Sequence, residues 1–347
     1  MKRLSVPLAF AAACLLLLPC SCGERKGPLP VIIETDMGND VDDALALALA
    51  HRAMDQGLLD LKMVSVHNLS ATACRYVDMI NTHLGHPGVP VSYADSPIRY
   101  KEDGLDFTAP VAESGSYALS GNCPDGIYPP SVAEYRRILA GSRNRSVVIV
   151  SLGFAPTLAR LLDSPADAFS PLSGLELVRK KVKYLSIMAG SYGVQDTIPV
   201  AGVRETLFDR SKKRAEFNVK YDIPGMQKVF AEWPTPIWQN PFEIGKMVMY
   251  PGDVAFSVEG SPVFDGYRAY KEEQFDRPSW DILSVAFLLH PEMFGVSDPV
   301  TVSVDDDGFN HVVPGGPHRI LVLTPDQASA LREYEVAMTA PQTATNN

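Results

Sequence analysis

Four aspartates fall within eight positions: Asp36, Asp40, Asp42 and Asp43, in the segment Glu34-Thr35-Asp36-Met37-Gly38-Asn39-Asp40-Val41-Asp42-Asp43-Ala44-Leu45. Carboxylates packed this closely raise one another's proton affinity unless a positive charge offsets them. A hard cation is the natural partner, and calcium is the first choice because it gathers many oxygen ligands in irregular geometry. The same acids offer a general base that can take a proton from water. Part of the cluster has a plainer use. Asp40 suits the N-cap of a following helix, with Asp43 three residues on as in a capping box, and Asp42 and Asp43 favour the positive end of the helix dipole. Capping is the expected role of Asp40. It does not account for Asp36, which precedes the turn.

The elements that must position these acids alternate in type. Residues 30–35 form an apolar run that predicts a buried strand, and residues 41–56 carry the periodicity of a helix. Further strands are predicted at 61–66, 89–93, 146–151, 182–188, 300–304 and 319–323, and further helices at 72–84, 156–162, 223–233 and 280–289. Such alternation predicts an α/β fold: a mostly parallel central sheet with helices on both faces, in one domain. The acidic segment then lies at the C-terminal end of the first strand, the edge where open α/β sheets bind ligands. Two stretches, 96–131 and 191–214, read as irregular; the second holds the basic run Arg210-Ser211-Lys212-Lys213-Arg214, expected to be a solvated loop.

The acidic segment resembles the opening motif of the inosine–uridine preferring nucleoside hydrolase family, Asp-x-Asp-Pro-Gly-x-Asp-Asp. Asp36-Met37-Gly38 and Asp42-Asp43-Ala44-Leu45 match it. Glu34 stands for the first Asp, Met37 for Pro, and two additional residues separate Gly38 from the Asp pair. The resemblance continues in order through Asn68, Ser151-Leu152-Gly153, Ala215-Glu216-Phe217-Asn218 and Ser279-Trp280-Asp281, covering about residues 30 to 325. It implies a Rossmann-like fold and calcium-dependent hydrolysis of the N-glycosidic bond of ribonucleosides or related ribosides. It also implies roles. Asp36, Asp43, the Ser151 carbonyl and Asp281 would hold calcium. Asp36 would be the general base. Asp42, Asn68, Glu216 and Asn218 would bind ribose hydroxyls. The transition state would be oxocarbenium-like, and the family implies a homo-oligomer.

Two departures concern the leaving group. Trp280 occupies the place of a family His beside the last metal-binding Asp, and Gly190-Ser191 stands where a family Asn is expected. Tyr192, Tyr221, Trp238 and His311 are the candidate nucleobase contacts. A riboside-binding surface or periplasmic lipoprotein without catalysis is the alternative expectation. A phosphatase of the haloacid dehalogenase kind is disfavoured, because Gly38 occupies the position two residues after Asp36 where its acid belongs.

The N-terminus carries an address. Lys2 and Arg3 precede an apolar run that is too short to span a bilayer and ends in Pro19-Cys20-Ser21-Cys22-Gly23. Residues 1–21 read as a lipoprotein signal peptide, with Cys22 the expected lipidated residue and Cys20 the alternative. Residues 22–29 read as a tether, 30–335 as the enzyme domain and 336–347 as a tail. The expected location is therefore outside the cytoplasm, anchored to a membrane by lipid alone. Cys74 and Cys123 are the remaining cysteines, compatible with one disulfide or with two separate thiols. A formal net charge of −10 disfavours a nucleic-acid partner and leaves a small molecule as the expected one.

Overall fold

The computed structural model describes residues 27–68, 70, 72–98, 106–193 and 214–340. The signal peptide, Cys20, Cys22 and most of the 191–214 segment lie outside the described residues. The strands in chain order are β1 (Leu29–Thr35), β2 (Leu59–Asn68), β3 (Val91–Ile98), β4 (Val147–Ser151), β5 (Val182–Met188), β6 (Ile237–Asn240), β7 (Met249–Tyr250), β8 (Arg277–Pro278), β9 (Gly295–Val296), β10 (Val300–Val304), β11 (Asn310–Pro314) and β12 (His318–Val322).

The main sheet runs β11-β10-β12-β6-β5-β4-β1-β2-β3, with β9 paired to β12. From β3 across to β12 the pairing is parallel; β10, β11 and β9 join antiparallel at the far side. The inner parallel strands are largely apolar because helices cover both faces: every side chain of β4 is buried, as are Val31 to Thr35 of β1. The helix Asp42–Asp55 is apolar on nearly every side, since it is wedged between the sheet and its neighbours; Ala44 to Ala50 are all buried. Strand order reverses between β1 and β4, so the loops leaving those two strands diverge and open a crevice between them.

The predicted α/β architecture is the observed one. Elements absent from the sequence reading are mostly short or weakly apolar, among them β6, β11 and the helices Ser131–Gly141, Gly174–Lys181 and Pro325–Thr339. The last two each open with a full capping box, at Ser173/Glu176 and Thr324/Gln327, which was the available signal. The final helix runs to Thr339, and among the described residues Cys74 and Cys123 are unpaired thiols.

Candidate active site

The turn after β1 is built to crowd acids together. Thr35 Oγ accepts the Met37 amide at 3.0 Å and donates to Asp43 Oδ1, so the strand end and the helix start are tied across the turn. Gly38 has φ +111°, which excludes most side chains, and a β-carbon there would sit 3.0 Å from Asn68 Nδ2. Asp36 is 3% exposed, Asp42 1% and Asp43 0%. Asp281 arrives from the distant helix Trp280–Leu289, and its amide donates to Asp42 Oδ2 at 2.9 Å.

Burial without neutralisation sets the electrostatics. It pushes the Asp36 carboxyl up to about 6, opposed by nearby His67 and reinforced by Asp40. Asp42, Asp43 and Asp281 are all held well above the ordinary carboxylate range, first by burial and then by neighbouring carboxylates: Asp40 beside Asp42, Asp36 and Asp42 beside Asp43, and Asp42 and Asp43 beside Asp281. Asp42 Oδ1 and Asp43 Oδ2 are buried and have no hydrogen-bond partner among the described residues. These orphaned, hard oxygen donors suit a divalent cation in chemistry and position, although among the described residues no three side chains of metal-ligating type already converge on one point.

A cavity of about 430 Å³ opens over the cluster, a size suited to a small organic ligand. Asp36, Asp42 and Asp281 line its floor, with Leu152, Met188, Glu216 and Asn218. Glu216 caps the short helix Phe217–Tyr221, accepting the Asn218 and Val219 amides at 3.0 and 3.3 Å, and also accepts the Gly190 amide at 3.1 Å. Burial lifts its carboxyl to about 7 against those bonds. Asn218 Nδ2 donates to the Leu152 and Met188 carbonyls, each at 3.1 Å.

Several expectations change in detail. Asp40 does not cap the helix: the N-cap position is Val41, without a side-chain bond, and Asp40 instead pairs with Arg277. Ser151 is fully buried inside the strand ladder, and the next residue, Leu152, lines the cavity. Asn68 spends its amide on the turn, donating to the Asp36 carbonyl at 3.0 Å and accepting from the Ser70 amide at 3.0 Å; it is not among the lining residues. None of Tyr192, Tyr221, Trp238 and His311 lines the cavity. Tyr192 donates to Gln239 and His311 pairs with exposed Asp305. The aromatic groups at the rim are Phe217, Phe242, Tyr270 and Trp280. Trp280 stacks on Phe242 at 5.5 Å and donates its Nε1 to the Phe242 carbonyl at 2.9 Å.

Behind Asp36 lies buried His67, which residue type and order do not single out, beside Glu34, the residue at the first Asp position of the motif. His67 Nδ1 is 3.3 Å from Glu34 Oε1, and the Tyr135 hydroxyl donates to Glu34 Oε2 at 3.0 Å. Gly153 lets Asp36 and His67 approach: a β-carbon there would collide with Asp36 Oδ1 and lie 2.7 Å from His67 Nε2.

Buried acids gathered at the reversal point of a parallel sheet, under a cavity with polar groups for hydroxyls, define an α/β hydrolytic enzyme of small ligands. Comparison names the family. Residues 31–328 match the inosine-uridine preferring nucleoside hydrolase family, and the chain belongs to it. It is therefore a ribonucleoside N-ribohydrolase, acting on small nucleosides. Among curated relatives, the pyrimidine-specific ribonucleoside hydrolase RihA of Klebsiella pneumoniae is 24% identical over 328 residues, covering 86% of this chain and 94% of that protein. Among solved structures, the plant nucleoside hydrolase PpNRh1 has a TM-score of 0.63 at 18% identity, covering 90% of this chain and 100% of that one. The purine-preferring ribonucleoside hydrolase from Gardnerella vaginalis has a TM-score of 0.63 at 16% identity, covering 89% and 99%. Both structures share the fold.

Proposed function

We propose that the enzyme is calcium-dependent and that Asp36 is its general base. The observation that carries this is the set of buried acids, Asp36, Asp42 and Asp281 lining the crevice and Asp43 beside them, with oxygens of Asp42 and Asp43 that have no partner among the described residues. Asp36, Asp43, Asp281 and the main-chain carbonyl of Ser151 at the end of β4 are the ligands. Bound calcium supplies a positive charge that offsets these carboxylates, orients ribose hydroxyls and eases deprotonation of a nearby water.

The chain's own residues do the rest. Asp36 takes the proton as water attacks C1′. The C1′–N bond breaks with its electron pair moving to the base, and positive charge grows on the sugar. The surrounding carboxylates are already fixed around that charge, so they stabilise it without reorganising. Asp42, Glu216 and Asn218 face the cavity and hold ribose hydroxyls; Asn68 acts one step back, by holding the Asp36 turn. A sugar lacking one of those hydroxyls leaves buried polar groups unpaired and is rejected.

The test is release of reducing sugar from inosine, uridine, adenosine, cytidine and 4-nitrophenyl riboside, with calcium and with chelator. Calcium-dependent release by the native enzyme, lost in Asp36→Ala, is expected. Release that persists in the chelator, or in Asp36→Ala, counts against the assignment. Calcium binding with no release from any substrate points instead to a riboside-binding protein.

A further inference from the structure

Family members that place a His beside the last metal-binding Asp have a proton donor near the departing base; here Trp280 fills that position, and its only N–H is spent on the Phe242 carbonyl. The groups around it suggest how the chain manages the leaving group. Arg277, in β8 and three residues before Trp280, lines the same cavity. Its Nε donates to Asp40 Oδ1 at 2.8 Å and its Nη2 donates to Asp40 Oδ2, a two-pronged pair. The Val41 amide fixes the same Asp40 carboxylate at 2.6 Å. The guanidinium carbon lies 5.0 Å from the centre of the Tyr270 ring and 5.2 Å from that of Trp280. Its backbone is registered against Tyr250 in the small β7–β8 sheet.

One edge of Arg277 is left over. Nη1 has no acceptor among the described residues, while the other two donors are committed. Asp40, which anchors the group, belongs to the stretch between Gly38 and Asp42 that is two residues longer than the family motif. The lengthened turn thus supplies the anchor for an arginine that stands beside the residue replacing the His.

The geometry points to Arg277 as a catalytic residue that stabilises the departing aglycone, with Asp40 as its positioning residue. The inference rests on the hydrolase reading above. A guanidinium does not release its proton in this pH range, so it is not a general acid. It donates a hydrogen bond and a full positive charge to the aglycone as negative charge develops there. The balance is as follows. Water oxygen bonds to C1′, its proton passes to Asp36, and the C1′–N pair leaves with the aglycone. The aglycone departs as an anion against Nη1 and takes its proton later from solvent. The Tyr270 hydroxyl, also at the cavity, is pushed up to about 12 and is a poor acid near neutrality. The substrate class follows: ribosides whose aglycone is stable as an anion, ranked by the acidity of the N–H or O–H that departs.

The experiment measures kcat/KM for the full-length native enzyme, Arg277→Gln, Arg277→Lys and Asp40→Asn. The substrates are xanthosine, inosine, uridine and 4-nitrophenyl riboside, and calcium affinity is measured by titration calorimetry alongside. In the native enzyme kcat/KM should rise with aglycone acidity. Arg277→Gln should lose about 10²- to 10³-fold on inosine and uridine, the loss typical for removing one charge-stabilising donor, and only a few-fold on the nitrophenyl riboside. Asp40→Asn should follow the same order with smaller losses, and Arg277→Lys should fall between Gln and native. Calcium affinity should be retained. Equal losses on every substrate, or none on inosine and uridine, overturn the role of Arg277 while leaving the hydrolase standing. If Arg277→Gln does not bind calcium, the Lys and Asn variants decide the same comparison. No cleavage of any riboside by the native enzyme removes both readings at once.

Discussion

A β-carbon on Gly153 would strike Asp36 Oδ1 and His67 Nε2 together, so this position reports on the base without belonging to it. Gly153→Ala is expected to force Asp36 out of place. Overpacking of this kind costs about 1–3 kcal/mol of stability, whereas a displaced base loses turnover far more steeply. A fall in kcat of about 100-fold with a melting temperature lowered only by several degrees fits that view; an active Gly153→Ala enzyme does not. The legibility of individual residues followed their spacing. Asp36, Asp42 and Asp43 fall in one short segment, and Asp281 and Glu216 in others, so residue type and order exposed them. Arg277 and Asp40 are 237 positions apart and meet only through the fold. Seen alone, Asp40 before a helix looks like a cap, and Arg277 like a surface charge. His67 escaped for a related reason, because its partner Glu34 is itself held by Tyr135 from the Ser131–Gly141 helix, and the three meet only in the fold.

At the scale of elements, the Trp280–Leu289 helix must present Asp281 at a fixed height, and its entry is held from behind. Ser279 Oγ donates to Glu335 Oε2 at 2.7 Å, joining that entry to the C-terminal helix Pro325–Thr339. Glu335 is fully buried and its Oε1 has no partner among the described residues, and burial raises its carboxyl well above the usual 4.5. A carboxyl raised in the folded state keeps its proton where the unfolded chain loses it. It therefore favours folding at acid pH, and that contribution is lost as pH climbs above the unfolded value. Glu335→Gln is neutral at every pH and should remove this dependence. Its urea midpoint relative to native should rise between pH 5 and pH 8, and an unchanged difference would show that Glu335 is neutralised otherwise. The strands and helices that the apolar runs revealed are those buried on nearly every side, such as β1, β4 and the Asp42–Asp55 helix. Edge pieces such as β11, where Val313 is 56% exposed, carry little apolar signal and take their form from pairing with β10.

For the molecule as a whole, the acid cluster is a strain that a cation relieves. Asp36 stands near 6, and Asp42, Asp43 and Asp281 stand higher than ordinary carboxylates. Without the cation, folding becomes less favourable as pH rises through 4 and beyond, because the folded acids must ionise at a cost that the unfolded chain avoids. Cation binding displaces those protons, so its stabilising effect grows with pH. A cation at about 100 times its dissociation constant contributes about 2.7 kcal/mol. Removing it with a chelator should lower the melting temperature more at pH 8 than at pH 5; an equal shift at both would place the ion away from these acids. The overall architecture was legible because alternating buried strands and helices admit few arrangements. The antiparallel return of β10 and β11 was not, since apolar spacing carries no sign for strand direction.

The bond between Asp40 and Arg277 also bears on descent. A chain that shortens the first turn by two residues loses the carboxylate and strands a half-buried guanidinium, while a chain that loses the arginine strands the carboxylate among three other acids. Either change alone leaves a charge without its partner beside the site, so turn length and arginine should be inherited together. Transplanting this leaving-group chemistry into a shorter-turned relative would require moving both in one step.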